Sequence, residues 1–379
     1  QYSGAVSELT EFANKFQFPV VETIAGRANL LDTHDLNIGP LGVTGSNSAN
    51  NIAEEADVIL AIGTRLQDFT TGSWTAFSKD AKIICLNAAR HDAAKHLSLP
   101  IVGDAKLGLN LLSYELDGYK TPSEWTENAR KERVVWNDYV EKNTNLKNGP
   151  SSYAQAIGVV NANCDPRDRI VAAAGGLPAE VTANWRTLGV STVDVEFGFS
   201  CMGYEIAGGW GARIAQSEKE SENDTIVFTG DGSYLLMNSD IYSSVLTQKK
   251  MIILVLDNGG FAVINNLQNN TGNESFNNLI SDTPTAVNQV RVDFEAHAKS
   301  LGALSETVES PSGLADAFLR AKSANETYVI VMKVDPYDGW TTEGHTWWEV
   351  GTPHISDNDK ITKAHKEWES SRVRQRKGI

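Results

Sequence analysis

The chain is poor in cysteine. It has three in 379 residues, at Cys85, Cys164 and Cys201, far apart and without a CxxC pair. An odd number at such spacing argues against a disulfide framework or a zinc site, and points to reduced thiols in the cytoplasm. Long apolar runs are also missing. No stretch approaches 18 apolar residues, so nothing reads as a membrane span, and no signal-peptide pattern stands at the start. Positive charge is in deficit: 33 Lys and Arg against 48 Asp and Glu give a net charge of -15. Such a field disfavours a polyanion, so nucleic acid is not an expected partner. A phosphate pocket stays open, because backbone N–H groups and a metal ion bind phosphate without Lys or Arg.

What is present is ordinary globular composition. At 41% hydrophobic and 21% charged residues, a chain of this length can bury a large core and predicts two or three domains. The first residue is Gln, and a helical pattern (Val6, Leu9, Phe12, Phe16) begins almost at once. The chain therefore reads as starting inside a longer protein.

Helix and strand patterns alternate in two series, which predicts an α/β fold of two doubly wound parallel-sheet domains. In residues 1–116 an amphipathic helix over 5–16 precedes a short strand at 19–22. Apolar runs follow at 57–62 (DVILAI) and 82–86 (KIICL), each read as a strand covered on both faces. Helix resumes at 105–112. Residues 117–150 are polar, end in Asn148-Gly149-Pro150, and read as a linker with a surface helix around 123–141. Residues 151–335 form the second series, and residues 336–379 a Trp-rich, charged tail. Gly39, Gly42 and Gly45 do not make a GxGxxG fingerprint, so no dinucleotide site is indicated.

The densest chemical signal lies between Thr225 and Leu267. Two apolar strands, 225–229 and 251–256, flank a helix of about ten residues, as in a parallel strand–helix–strand unit. Their carboxyl ends then share one sheet edge, where open α/β folds bind ligands. Gly230-Asp231-Gly232-Ser233 ends the first strand and Asp257-Asn258-Gly259-Gly260 the second. Asp231 and Asn258 should converge. A carboxylate, an amide oxygen and the Gly260 carbonyl make a hard oxygen set suited to Mg²⁺. Gly230 and Gly232 let the backbone approach phosphates closely, and Ser233 is expected to begin a helix whose N–H groups favour an anion.

GDG, a 25-residue spacing and then Asn resembles the binding motif of thiamine diphosphate (ThDP) enzymes. The resemblance assigns Asp231, Asn258 and the Gly260 carbonyl to the metal. Asp257 departs from the family, which has Asn there. The run from Ser200 to Gly209 resembles the segment under the cofactor's aminopyrimidine ring. Met202 would be the wedge that bends the cofactor, and the Ser200 carbonyl would accept from the amino group. Gly175, Gly176 and Leu177 resemble the loop that touches the diphosphate. Glu205 is read as a helix N-terminal charge or a polar contact.

The resemblance covers the whole chain. Residues 41–50 and the run EADVILAIGTRLQDFTTGSW look like the middle domain of the acetohydroxyacid-synthase-like group. FSCMGYEIAGGWGARIA, DNGGFAVINNLQ and TWWEVGTPHIS look most like the hydrolases of that group that open a trihydroxycyclohexane-1,2-dione in inositol breakdown. This implies ThDP- and Mg²⁺-dependent hydrolysis of a carbon–carbon bond in a small polyhydroxylated cyclic dione, giving 5-deoxyglucuronate. An acetolactate synthase, a 2-oxo acid decarboxylase and a non-catalytic ThDP-binding subunit are the alternatives. FAD is possible by analogy, but no local motif asks for it. The pyrimidine-binding domain that carries the family's activating Glu has no counterpart here. No catalytic residue is assignable in this chain, which is expected to be inactive alone and to complete its site in a homodimer or homotetramer. In the tail, the Trp347–Trp348 pair, between His345 and His354, reads as the packing of a lid.

Overall fold

The computed structural model describes residues 1–145, 150–219 and 223–378, and the chain divides into two compact units. In the first, α1 (Val6–Phe16) precedes β1 (Val20–Glu22), β2 (Asn37–Pro40), α2 (Asn47–Glu55) and β3 (Val58–Ile62). Then come α3 (Asp68–Thr71), β4 (Lys82–Asn87), α4 (Arg90–Ala93), β5 (Leu99–Val102) and α5 (Ala105–Glu115). Strands β1 and β2 form a parallel pair, and β3-β4-β5 a parallel three-stranded sheet. α1 forms because Phe12, Ala13 and Phe16 recur at helical spacing and bury one face. Phe12 and Phe16 join Leu109 of α5 in one cluster.

Two expectations need correction. β3 is not covered on both faces, since Val58 is 50% exposed. An edge position in a short sheet leaves that end of the apolar run open to water. The helix read as a surface connector is α6 (Ser123–Thr144), and Ala129, Trp136 and Val140 on it are buried. Ala129 packs with Ile38 and Ile52, while Arg130 pairs with Asp35 at 2.7 Å. One face of the helix is therefore core. The turn expected at Asn148-Gly149 lies outside the described residues.

The second unit holds α7 (Tyr153–Asn163), β6 (Arg169–Ala172), α8 (Gly176–Asn184), β7 (Val193–Val195), α9 (Tyr204–Glu218) and β8 (Thr225–Gly230). It continues with α10 (Asp231–Leu236), α11 (Ser239–Leu246), β9 (Ile252–Asp257), α12 (Ala262–Asn270), α13 (Phe294–Ser300), β10 (Leu304–Val308), α14 (Pro311–Ser323) and β11 (Tyr328–Lys333). Six strands form one sheet in the order β10-β11-β9-β8-β6-β7, and every pairing is parallel. β8 and β9 lie at its centre, and every residue of β9 is buried. Each fully buried Val, Ile or Leu there is worth roughly 1.5–3 kcal/mol. The connection leaves β6 toward β7 and returns on the opposite side as β8. The switch point of the sheet therefore falls between β6 and β8, where ligands bind at the carboxyl edge.

The helix expected between β8 and β9 is two helices. It starts at Asp231 rather than Ser233 and breaks at Met237, which is extended (φ -149°, ψ 94°). Asn238 then donates from its side chain to the Tyr234 carbonyl at 3.0 Å. A six-residue helix carries little of the dipole first attributed to it. The tail divides. Residues 342–357 and those from Thr362 onward fold with the first unit, where Trp348 donates to Asp68 at 2.7 Å and packs edge-on against Phe69. A last helix, α15, spans Asp359–Arg372. Among the described residues no helix is long and apolar enough to cross a membrane.

Candidate active site

Parallel register alone brings Asp231 and Asn258 together, because Gly230 pairs with Leu256 at the ends of β8 and β9. Asp231 accepts from the Gly232 N–H through Oδ1 and from the Gly259 N–H through Oδ2, both at 2.9 Å. The same Gly259 N–H lies 2.9 Å from Oδ1 of Asp257. Two buried carboxylates thus share one donor. Arg291 approaches Asp257 at 3.4 Å, with its side chain half exposed. Burial first, and the Asp257 carboxylate second, raise the Asp231 carboxyl well above the usual carboxylate range.

Asn258 donates from Nδ2 to the Tyr153 hydroxyl at 2.6 Å, and its Oδ1 accepts the Gly260 N–H at 3.2 Å. Gly260 has φ +148°, and a Cβ there would sit 2.3 Å from the Asn278 carbonyl oxygen. Only glycine lets the chain turn so tightly at this point. Among the described residues no group of three or more His, Cys, Asp and Glu could hold a metal. A cation at this edge would therefore draw on amide and carbonyl oxygens beside one carboxylate. That donor set, beside two buried carboxyl groups of which only Asp257 has a cationic neighbour, Arg291 at 3.4 Å, fits a hard divalent ion such as Mg²⁺.

Glu205 gathers the remaining segments. It is 1% exposed and accepts from the Ala174 N–H at 3.2 Å, the Gly203 N–H at 2.8 Å and the Ser233 side chain. It is a polar contact that ties the loop after β6, the start of α9 and the segment after β8. Burial raises its carboxyl against the pull of those donors. Ser200 has φ +55°. Glu196 accepts the N–H groups of Gly198, Phe199 and Cys201, which shapes the loop that carries Ser200 and Met202. A Cβ on Gly232 would lie 3.3 Å from Met202 Cε and 2.6 Å from the Phe261 ring. Met202, Gly232 and Phe261 are thus neighbours.

Gly175 (φ +87°) caps α8, and a Cβ on Gly176 would collide with the Trp340 ring at 2.3 Å. The backbone at this strand end stays open at Gly175 and is packed at Gly176. Leu177 is 2% exposed and points to core. Its side chain is therefore not available to a ligand.

The sequence reading missed Tyr153, Arg291 and Glu180. Tyr153 is 105 positions from Asn258, and no local pattern links the two. Burial first, then the charges of Asp231 and Glu180, push its hydroxyl far above the ordinary phenol range, so it stays protonated. Glu180, on α8, accepts from Thr341 and Asn184 in the interior.

Residues 1–112 match the thiamine pyrophosphate enzyme central domain. Residues 173–332 match the thiamine pyrophosphate enzyme C-terminal TPP binding domain. Among curated relatives, the 3D-(3,5/4)-trihydroxycyclohexane-1,2-dione hydrolase of Clostridium botulinum is 33% identical over 397 residues, covering 97% of this chain and 61% of that protein. The Bacillus licheniformis protein of the same name is 33% identical, with 97% and 60% covered. That of Geobacillus thermodenitrificans is 32% identical, with 97% and 61% covered. The chain thus spans about three fifths of the length of the curated relatives it matches.

Proposed function

Since the chain belongs to the thiamine pyrophosphate enzymes, with their central and C-terminal TPP-binding domains, we propose that it is the metal-and-diphosphate part of a C–C bond hydrolase. The substrate proposed is a trihydroxycyclohexane-1,2-dione. The convergence of Asp231, Asn258 and Gly260 at the ends of β8 and β9 carries the cofactor half of this reading. Relatives of that name at 32–33% identity over nearly the whole chain support the substrate half.

Asp231, the Asn258 Oδ1 and the Gly260 carbonyl would hold Mg²⁺, and the Mg²⁺ would neutralise a diphosphate. When bound, the thiazolium ring supplies an electron sink for carbon–carbon cleavage. The chain's own residues do the remaining work. Gly175 and Gly230, where a Cβ would meet nothing within 4 Å, leave the backbone open to close approach by phosphate. Met202 beside Gly232 presents an apolar wedge. Glu205 holds the three loops in register, so the groups are placed before the cofactor arrives. The activating carboxylate would come from a pyrimidine-binding domain elsewhere in the full-length protein or in a second chain. We therefore propose a homodimer or homotetramer, in the cytoplasm, with a site completed between domains.

The test is acid release from the cyclic dione by this chain joined to a pyrimidine-binding domain, with and without ThDP and Mg²⁺. One carboxylate per dione, without CO₂ and dependent on both cofactors, is the expected result. CO₂ release from pyruvate in place of dione opening would move the protein to the decarboxylases or acetolactate synthases. Neither activity, with cofactor bound, would make it a binding subunit.

A further inference from the structure

We propose that Tyr153 is a positioning residue that orients the Asn258 amide toward the divalent cation; this rests on the reading of Asp231, Asn258 and Gly260 as metal ligands. An amide side chain has one end that can ligate a hard cation, Oδ1, and one that repels it, Nδ2. A half-turn about its last torsion exchanges the two at almost no steric cost. Something must therefore decide which end faces the ion. The Gly260 N–H reaches Oδ1 at only 3.2 Å, a long bond from the adjacent turn. The Tyr153 hydroxyl lies 2.6 Å from Nδ2, and it accepts from that end.

The phenol is itself held in place. Tyr153 is 6% exposed and opens α7, directly behind a capping box between Ser152 and Gln155. Its ring meets Trp340 edge-on, with centroids 5.3 Å apart at 79°. Ser152 abuts Gly339, where a Cβ would lie 2.6 Å from the Ser152 Cβ. A helix start and an aromatic contact thus fix the hydroxyl, rather than the loop that carries Asn258. Phenylalanine would fill the same space yet leave Nδ2 buried and unpaired. Without the hydroxyl the amide keeps only the long Gly260 bond, and Oδ1 is held less firmly toward the cation.

The experiment uses the 379-residue chain with Mn²⁺ and inorganic pyrophosphate as probes, and free Mn²⁺ is read by electron paramagnetic resonance. Tyr153→Phe is expected to weaken pyrophosphate-dependent Mn²⁺ binding about 10- to 100-fold, the usual range for an outer partner of a metal ligand. Repeating it in an Asn258→Asp background separates orientation from packing. A carboxylate offers oxygen at either end, so the same Tyr153→Phe change should then cost less than about 3-fold. Equal losses in the two backgrounds, or no loss in either, would overturn the positioning role. If the wild-type chain holds no Mn²⁺ with pyrophosphate, or Asp231→Ala holds it as well as wild type, the ligand reading itself fails and this inference with it.

Discussion

The Gly259 N–H donates to Oδ2 of Asp231 across 2.9 Å, although 28 positions separate the two residues. The bond ties the segment after β8 to the segment after β9 before any ligand is considered. It also draws Asp231 toward Asp257, which takes the same N–H. The architecture thus holds two carboxyl groups together in a buried place, a cost in stability that a bound cation would offset.

Asp231→Asn should therefore stabilise the cofactor-free chain at alkaline pH and abolish its response to cofactor. The folded-state carboxyl of Asp231 is raised. Its favourable contribution is present below the unfolded-state pKa and is lost as pH rises through the folded one. Thermal unfolding at pH 5.5 and pH 8 should show wild type losing stability between the two and the Asn variant losing less. Mg²⁺ with ThDP should restore wild type only, through binding to the native state. An Asn variant that gained as much from the cofactor would remove Asp231 from the ligand set.

Gly260→Ala should fail for reasons of backbone shape. The residue sits at φ +148°, and an added Cβ would meet a main-chain oxygen at 2.3 Å. The conformation alone costs about 1–3 kcal/mol for a residue with a side chain, and the Asn278 carbonyl has no flexible end to move aside. Urea unfolding should give a lower midpoint with an unchanged slope, and metal-dependent ThDP binding should be lost. Gly230→Ala is the control. A Cβ there meets nothing within 4 Å, so the same measurements should show a far smaller drop in midpoint.

The two motifs were legible because each is local and sits at the end of a strand of unbroken apolar residues. The six consecutive apolar residues 251–256 read as a strand, and every residue of β9 is buried in the structure. Asp231 and Asn258 then follow from parallel register. What sequence could not supply was contact between distant segments. Tyr153 and Asn258 belong to different helix–strand units, and Glu205 bonds to residues 31 positions before it and 28 after it. Val58 illustrates the opposite failure. Its apolar run resembles that of a covered strand, and only the sheet order places it at an edge. The break at Met237 was hidden because Leu235, Leu236 and Met237 all favour helix by propensity.

Glu205→Ala should loosen three segments at once. The backbone donors of Ala174 and Gly203 would lose their acceptor in a buried place, at about 1–3 kcal/mol for each group left unpaired. Denaturant unfolding should show the loss without cofactor, and ThDP affinity should fall on top of it. Glu205→Gln retains one acceptor oxygen and should lie between wild type and Ala. If Glu205→Ala were as stable as wild type, the three loops would be held by other contacts and Glu205 would have no organising role.

Glu180 gives a pH dependence that is separate from the metal edge. It is 2% exposed, and its oxygens accept from the Thr341 N–H at 2.9 Å, the Thr341 hydroxyl at 2.7 Å and the Asn184 Nδ2 at 3.1 Å. Burial outweighs those donors and pushes the carboxyl up to about 7 from 4.5. The folded state thus holds a proton that the unfolded chain releases, and the interior offers that proton a place, since Asn184 Oδ1 is buried without a partner. A half-turn of the Asn184 amide would turn this oxygen toward Glu180. The stabilisation is complete below pH 4.5 and disappears as pH climbs through about 7. Between pH 4.5 and 8.5, wild type should therefore lose on the order of 3 kcal/mol relative to Glu180→Gln, whose side chain does not titrate. Unfolding free energies of both proteins at the two pH values, in cofactor-free buffer, measure that difference directly. Parallel pH profiles would mean that Glu180 is ionised throughout and that its donors, rather than burial, set its charge.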